Sequence, residues 1–405
     1  MPKLELTNIN LPELMIGERL ASYVQRSPQQ DFNAHIVFYE KKNSVFFIMK
    51  DISTFLHFPI QCAINTDIEY NMGLSINPDT FFYIFKSYSD EELKSLHMTL
   101  ELNNETQMWQ VKVETSTDHI TIPNAVLIDD MLDELINDIN NFAVKKTNTT
   151  FNLSDTPNKA DFLRGVSKAF EFIGVDVKVH NAVSIFSDRV VVNDNRHIYV
   201  YTLEGSMNGL SDENYIPLHK TGAAIVNFLY QKKTEFNLII SSDSKYCWID
   251  IGDNSGICLN NSMSVVSPPT KDKLLSWKAE NKVCTVSTFK LKESIDFFFF
   301  KGFFAANDQW KPILLSVTEN GIVFEIKNTS SISNACNVKR EIPATIDSYF
   351  EGQSWIISDS LSMFLKSCVS KNDSDIDLTW DMKSKAVHLK NGSQEIYLGK
   401  LQVRV

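Results

Sequence analysis

Three stretches of the chain alternate apolar and polar positions with a period of two, break at a polar turn and alternate again. They are HMTLELNNETQMWQVKVE (97–114), FNLIISSDSKYCWIDIGD (236–253) and DIDLTWDMKSKAVHLKNGSQEIYLGKLQV (375–403), and each predicts a pair of strands joined by a turn. Just upstream of each lies a strand-like segment whose apolar spacing changes to that of a helix: YNMGLSINPDTFFYIFKSYS (70–89), YIPLHKTGAAIVNFLYQKK (215–233) and GQSWIISDSLSMFLKSCVS (352–370). Laying Asp79 over Asp359 brings Phe81 onto Leu361, Ile84 onto Phe364, Phe85 onto Leu365 and Lys86 onto Lys366. Asp79 and Asp359, or the hydroxyls beside them, are the expected N-caps, because a short acceptor side chain satisfies amides left open in the first turn. The middle version shares the i, i+3, i+4 face through Ile225, Phe228 and Leu229 but joins strand to helix differently.

A second helical pattern occurs once per unit and earlier in it, in PELMIGERLASYVQ (12–25), ADFLRGVSKAFEFIG (160–174) and FKLKESIDFFFFKGFFAA (289–306), each followed by a run of strands. The repeating unit is therefore helix, strands, helix, strands, with a period of roughly 130 to 140 residues, too long for a solenoid. Two polar stretches, 144–159 and 267–282, read as linkers. The expected division is 1–145, 146–270 and 271–405, three tandem α+β domains.

At 405 residues and 43% hydrophobic, the chain can bury more than one core. Its longest apolar runs, such as FFFF at 297–300, are far short of a membrane span, so the expectation is a soluble, intracellular protein without membrane partners. Cys62, Cys247, Cys258, Cys284, Cys336 and Cys368 show no CxxC spacing, which leaves reduced, buried thiols and no metal site. A net charge of −11 argues against a surface coated in positive charge, yet allows basic residues confined to one face. Asp373, Asp375 and Asp377 imitate the start of a calcium loop, but Leu378 stands where glycine must turn the chain, and the alternation from Asp375 predicts a strand. No P-loop, GxGxxG, GxSxG or HExxH occurs. The expectation is a protein that is not an enzyme and carries no cofactor, and the Phe-rich DFFFFKGFF is expected in the core.

The three-unit pattern resembles the bacterial DNA sliding clamp, the DNA polymerase III beta subunit family, in a divergent form consistent with a phage. The likeness is densest over 283–405, where NGIVFEIKN, EIPATIDSYFEGQSWIISDSLSMFLKS and the terminal YLGKLQVRV follow the family's third domain in order. VVVNDNRHIYVY (190–201) resembles the family's Thr-Asp-Gly-His-Arg-Leu, and the last five residues, LQVRV, stand where the family ends Met-Pro-Met-Arg-Leu. The acidic segment 126–142, VLIDDMLDELINDINNF, makes the first joint longer than the family's.

The resemblance implies three clamp domains per chain, each with two helices backed by antiparallel sheets, and a homodimer that closes head to tail into a six-domain ring. It implies double-stranded DNA, a DNA polymerase and a clamp loader as partners, in the cytoplasm of a bacterial or infected bacterial cell. Lys and Arg dispersed on the helices would attract phosphates without reading sequence. The candidates are Arg19 and Arg26, Lys86 and Lys94, Lys159, Arg164 and Lys168, Lys232 and Lys233, Lys290 and Lys301, and Lys366 and Lys371. Arg164 and Lys168, four apart, and Lys290 and Lys301, eleven apart, each share a helix face. Carried over residue by residue, the family's partner pocket would involve Asn193, Asp194, Asn195, Arg196, His197, Ile198, Pro268, Leu401, Val403, Arg404 and Val405. The alternative function is a clamp-like scaffold for viral transcription or repair factors that does not encircle DNA.

Overall fold

The computed structural model describes residues 3–23, 34–50, 54–86, 88, 92, 95–142, 149–173, 182–194, 196–232, 238–242, 246–252, 254–260, 268–277, 282–300, 312–326, 338–347, 353–368, 374–380 and 386–399. Among them are eight α-helices: α1 (Leu11–Tyr23), α2 (Pro78–Lys86), α3 (Asp129–Asn141), α4 (Lys159–Glu171), α5 (Lys220–Lys232), α6 (Lys271–Trp277), α7 (Thr288–Phe300) and α8 (Ser358–Cys368). Every paired strand is antiparallel. Contacts gather the chain into two compact units, Met1–Ser154 with Lys233–Ser262, and Asp155–Lys232 with Met263–Val405.

The first unit holds a 13-stranded sheet that starts at Thr149–Asn152, continues through Ile239–Ser242, Tyr246–Gly252 and Ser255–Asn260 to Phe55–Ile60, and ends at Ala63–Thr66. The stretch read as the first linker thus contributes an edge strand. Ala34–Tyr39 and the inner five residues of Ser44–Lys50 are buried throughout, as continuous apolar runs are when both faces of a sheet are covered. Successive side chains go to opposite faces. Phe47 stacks with Phe58 and with Phe81 of α2, at ring separations of 5.1 and 5.6 Å. Phe46 and Ile48 pack on the other side with Val37, Tyr39 and Phe55 against Leu132, Leu135, Ile136 and Ile139 of α3.

The start of α2 corrects one expectation. Its cap is Asn77, whose Oδ1 accepts the Thr80 N–H at 3.0 Å; Pro78 takes the first helical position, where its missing N–H costs nothing. Asp79 sits inside the first turn, where its charge suits the helix dipole.

The second unit holds a nine-stranded sheet from Ile216–His219 to Thr345–Ile346 and a four-stranded sheet ordered Val338–Pro343, Gly321–Ile326, Pro312–Val317, Gln353–Ile357. In the nine-stranded sheet, His197–Thr202 pairs with Gln394–Leu398, so strands from before and after the stretch 267–282, read as the second linker, share one sheet. That stretch itself forms α6. Phe298 of α7 is fully buried and the Arg340 guanidinium covers Phe297 at 4.9 Å; residues 301–304 of the Phe-rich segment, expected in the core, lie outside the described residues.

Candidate functional site

The helices bearing the predicted basic residues, α1, α2, α4, α5, α7 and α8, carry ten basic side chains against eight acidic ones, in a chain with 39 against 50. Arg19, Lys86, Lys159, Lys232, Lys290 and Lys366 are exposed, and Lys168 is half-buried. Several are engaged within the fold. Arg19 lies 5.4 Å over the Tyr23 ring, Lys232 lies 5.8 Å from the Phe228 ring, and Lys86 pairs with Glu18 at 2.7 Å, tying α2 to α1. Arg26, Lys94, Lys233, Lys301 and Lys371 lie outside the described residues.

Arg164 is the most committed of the set. Its Nε donates to the Tyr201 hydroxyl at 2.8 Å and its Nη2 to Asp161 Oδ1. Asp161 is buried and also accepts from the Tyr201 hydroxyl and the Glu204 N–H, each at 2.8 Å. Burial alone would push this carboxyl up, but the Glu204 N–H, Arg164 and Tyr201 outweigh it and hold it below its ordinary value. Much of Arg164's charge is therefore answered inside the unit, while on the same helix Lys159 is exposed and Lys168 half-buried.

The predicted partner residues divide. Asp194 closes a tight turn, its N–H donating to the His197 carbonyl at 2.9 Å while its Oδ1 accepts the Arg196 N–H at 3.1 Å. Asn193, at the end of the strand Arg189–Asn193, is half-buried, as are Asp194 and Arg196. His197 is buried and uses both ring nitrogens internally, with Nδ1 2.9 Å from Ser360 Oγ and Nε2 3.1 Å from the Phe172 carbonyl. It braces the hairpin instead of facing solvent. Ile198 belongs to an apolar cluster of Phe186, Val191, Val200, Leu274 and Tyr397, joined by Tyr215. Pro268 is half-buried; Asn195, Leu401, Val403, Arg404 and Val405 lie outside the described residues.

Sequence reasoning missed what holds this cluster together. Buried Arg189 lies 4.2 Å over the Phe186 ring and pairs with Asp188 at 2.8 Å and Asp212 at 2.6 Å. Lys271, at the start of α6, pairs with Asp188 at 2.5 Å and donates its backbone N–H to Asp212 at 2.8 Å. Burial would raise both carboxyls, but the cations and the Lys271 N–H hold them below the ordinary aspartate range. These ties seat α6 on the sheet and place Leu274 in the cluster. On the neighbouring strands, the Tyr397 hydroxyl donates to Glu395 Oε2 at 3.2 Å, and His388 bridges Glu395 at 3.1 Å and Thr379 at 2.8 Å. The only signal in the sequence was the placement of Leu274 three residues after Lys271; Asp188 and Asp212 sit in loops with no motif around them.

No protein-family model matches the sequence, and comparison with curated proteins finds no match. Solved structures do match, over the whole chain. DNA polymerase III subunit beta from Pseudomonas aeruginosa is similar with a TM-score of 0.71 at 11% identity, covering 98% of this chain and 100% of that one. The beta subunit from Thermotoga maritima gives 0.70 at 12% identity over 100% of each chain. The DNA polymerase sliding clamp from Caulobacter crescentus gives 0.71 at 10% identity over 98% and 100%. The chain has the sliding-clamp fold, an α+β fold of helices on antiparallel sheets, as the resemblance implied.

Proposed function

We propose that this protein is a DNA sliding clamp: a non-enzymatic ring that encircles duplex DNA and tethers a DNA polymerase and other partners to it. The observation that carries the reading is the likeness to DNA polymerase III subunit beta along essentially the full length of both chains. In this reading the chain comprises three clamp domains, 1–145, 146–270 and 271–405, and two chains close head to tail as a homodimer, opened by a clamp loader. Exposed Lys159, Lys290 and Lys366, with Lys168, supply non-specific attraction to phosphates. Ile198, Pro268 and the C-terminal residues Leu401, Val403, Arg404 and Val405 take a partner's peptide beside the Phe186 and Tyr397 cluster. The site of action is the cytoplasm of a bacterial or phage-infected cell.

The test is topological. Loaded protein should stay on circular DNA and run off linear DNA whose ends are open, and light scattering at micromolar concentration should give a dimer. Equal retention on both DNAs refutes encirclement and favours a scaffold that does not ring DNA.

A further inference from the structure

Helix α3 is fitted to the 13-stranded sheet at both ends. Ile128, just before it, lies over Gly73, where a Cβ would come within 2.6 Å of Ile128 Cγ1. Phe142, just after it, lies over Gly256, where a Cβ would come within 2.2 Å of the Phe142 ring. Only glycine allows such close approach. Between these two seats the apolar face of α3 is buried, Lys50 reaches from the sheet to Glu134 and, at 2.8 Å, to Asp138, and Asn140 Nδ2 donates to the Tyr39 hydroxyl at 3.1 Å.

Two histidines lie on this same face of the sheet. His35 and His57 occupy the strand positions that alternate onto the side of Val37, Tyr39 and Phe55. They are 1% and 2% exposed, and neither ring nitrogen of His35 nor Nδ1 of His57 has a hydrogen-bond partner. The Phe142 ring packs edge-on against the His57 ring at 4.7 Å. An unpaired polar nitrogen in such a place costs stability, which leucine or phenylalanine would not. The imidazoles therefore weaken the seating of α3 at any pH, and a proton on either would weaken it much further.

We propose that α3 is an acid-releasable cover, seated on the sheet while His35 and His57 are neutral and lifting away when solvent can protonate them. The charged and titratable groups around the pair come from several elements. Lys50 of the neighbouring strand acts on His35, and that lysine is shared with Glu134 and Asp138. Lys42, in the turn before that strand, and Asp138 of α3 act on His57 with opposite sign. Among the described residues of the packed surface, Tyr39 and Cys258 are titratable as well. Burial dominates: it takes His35 from 6.5 down to about 4 and His57 down to about 3, with the lysines assisting.

The sign follows. Above about pH 6.5 both histidines are neutral whether α3 is seated or lifted, and pH has no effect through them. Below that value the lifted state binds protons that the seated state excludes, so seating weakens as pH falls. The loss stops growing once pH is below the seated values, where both states are protonated.

Hydrogen exchange of the α3 amides, corrected for intrinsic rates, tests this on the full chain at pH 7.5 and 5.5. Protection should fall by about tenfold for each histidine uncovered, about a hundredfold for both. His35→Leu with His57→Leu should hold protection level between the two pH values. Lys50→Met should lower protection at both without removing the fall. Equal wild-type protection at both pH values overturns the proposal, as does a fall that persists in the double leucine variant. Should that variant fail to fold, imidazole NMR of the wild type decides: either histidine titrating near pH 6.5 while α3 stays protected also overturns it.

Discussion

Helices α3 and α4 are each 13 residues long, each amphipathic and each laid on an antiparallel sheet. Their outward faces are opposite in charge. α3 carries Asp129, Asp130, Asp133, Glu134 and Asp138 and no basic residue, whereas α4 carries Lys159, Arg164 and Lys168 against Asp161 and Glu171. Burial is achieved alike: Gly73 and Gly256 admit Ile128 and Phe142 around α3, and Gly165 admits the Tyr201 ring, 2.8 Å from where its Cβ would be. The net charge of −11 is thus distributed helix by helix, and a whole-chain isoelectric point says nothing about which surface meets a polyanion.

The largest effect should come from unseating α3. Phe142→Ala empties the seat above Gly256 and exposes the His57 ring it covers, and should cost about 3–5 kcal/mol, as for other large-to-small changes in a packed core. Chemical denaturation followed by the fluorescence of Trp248, which packs against this cluster, should show the loss in the transition that includes the first unit. A loss below about 1 kcal/mol would mean that α3 is only loosely laid on the sheet.

The corresponding test on α4 is Asp161→Ala, which leaves the Arg164 guanidinium, the Tyr201 hydroxyl and the Glu204 N–H without their shared acceptor. The expected cost is about 2–4 kcal/mol. Because the carboxyl is held below its ordinary value, its contribution is fully present above about pH 3.9 and declines as pH falls through the lower folded value. The gap between wild type and variant should narrow in acid; a gap that is constant with pH would assign the loss to packing instead of charge.

Charge itself is compared by changing each helix in turn. Lys159→Gln with Lys168→Gln should weaken DNA binding about tenfold at moderate salt and flatten its salt dependence by about one unit for each lysine that no longer neutralises a phosphate. Asp130→Asn with Asp133→Asn on α3 should leave the salt dependence unchanged. Titrations of labelled duplex at several salt concentrations check both, and equal effects from the two helices would sink the assignment of the basic face to DNA.

The repeats were legible because each unit carries its own periodicity. The switch from period two to helical spacing at Pro78 and again at Ser358, and the alternation of Asp375–Trp380, reappear as helix starts and a strand. What escaped was decided by partners distant in sequence. The one local miss was the cap, which fell to Asn77, two residues before Asp79, with Pro78 in the first helical position. The stretch 144–159 looks like linker because Thr149–Asn152 is polar, yet it pairs with Ile239–Ser242, far along the chain. At the Phe186 and Tyr397 cluster, the turn 193–198 was read from its letters, while the Arg189, Asp212 and Lys271 ties depend on loops that only the fold brings together.

The smallest effect is expected from the pair that looks most like a clasp. Lys86 and Glu18 join α2 to α1 at 2.7 Å, but the lysine side chain is 51% exposed, so water and salt screen the attraction and ordering a long side chain offsets part of it. Glu18→Gln should therefore change stability by no more than about 0.5 kcal/mol. The cohesion of this part of the sheet comes instead from Phe81, Phe82 and Phe85 of α2, all buried, with Phe82 4.8 Å from Phe47. The same substitution also releases Lys86 from its carboxylate and leaves it exposed beside α1. If that face meets DNA, Glu18→Gln should strengthen binding slightly while stability stays flat, the opposite pattern to Asp161→Ala. A loss of stability above about 1 kcal/mol with no gain in DNA binding would show that Lys86 is a structural residue and remove it from the basic face.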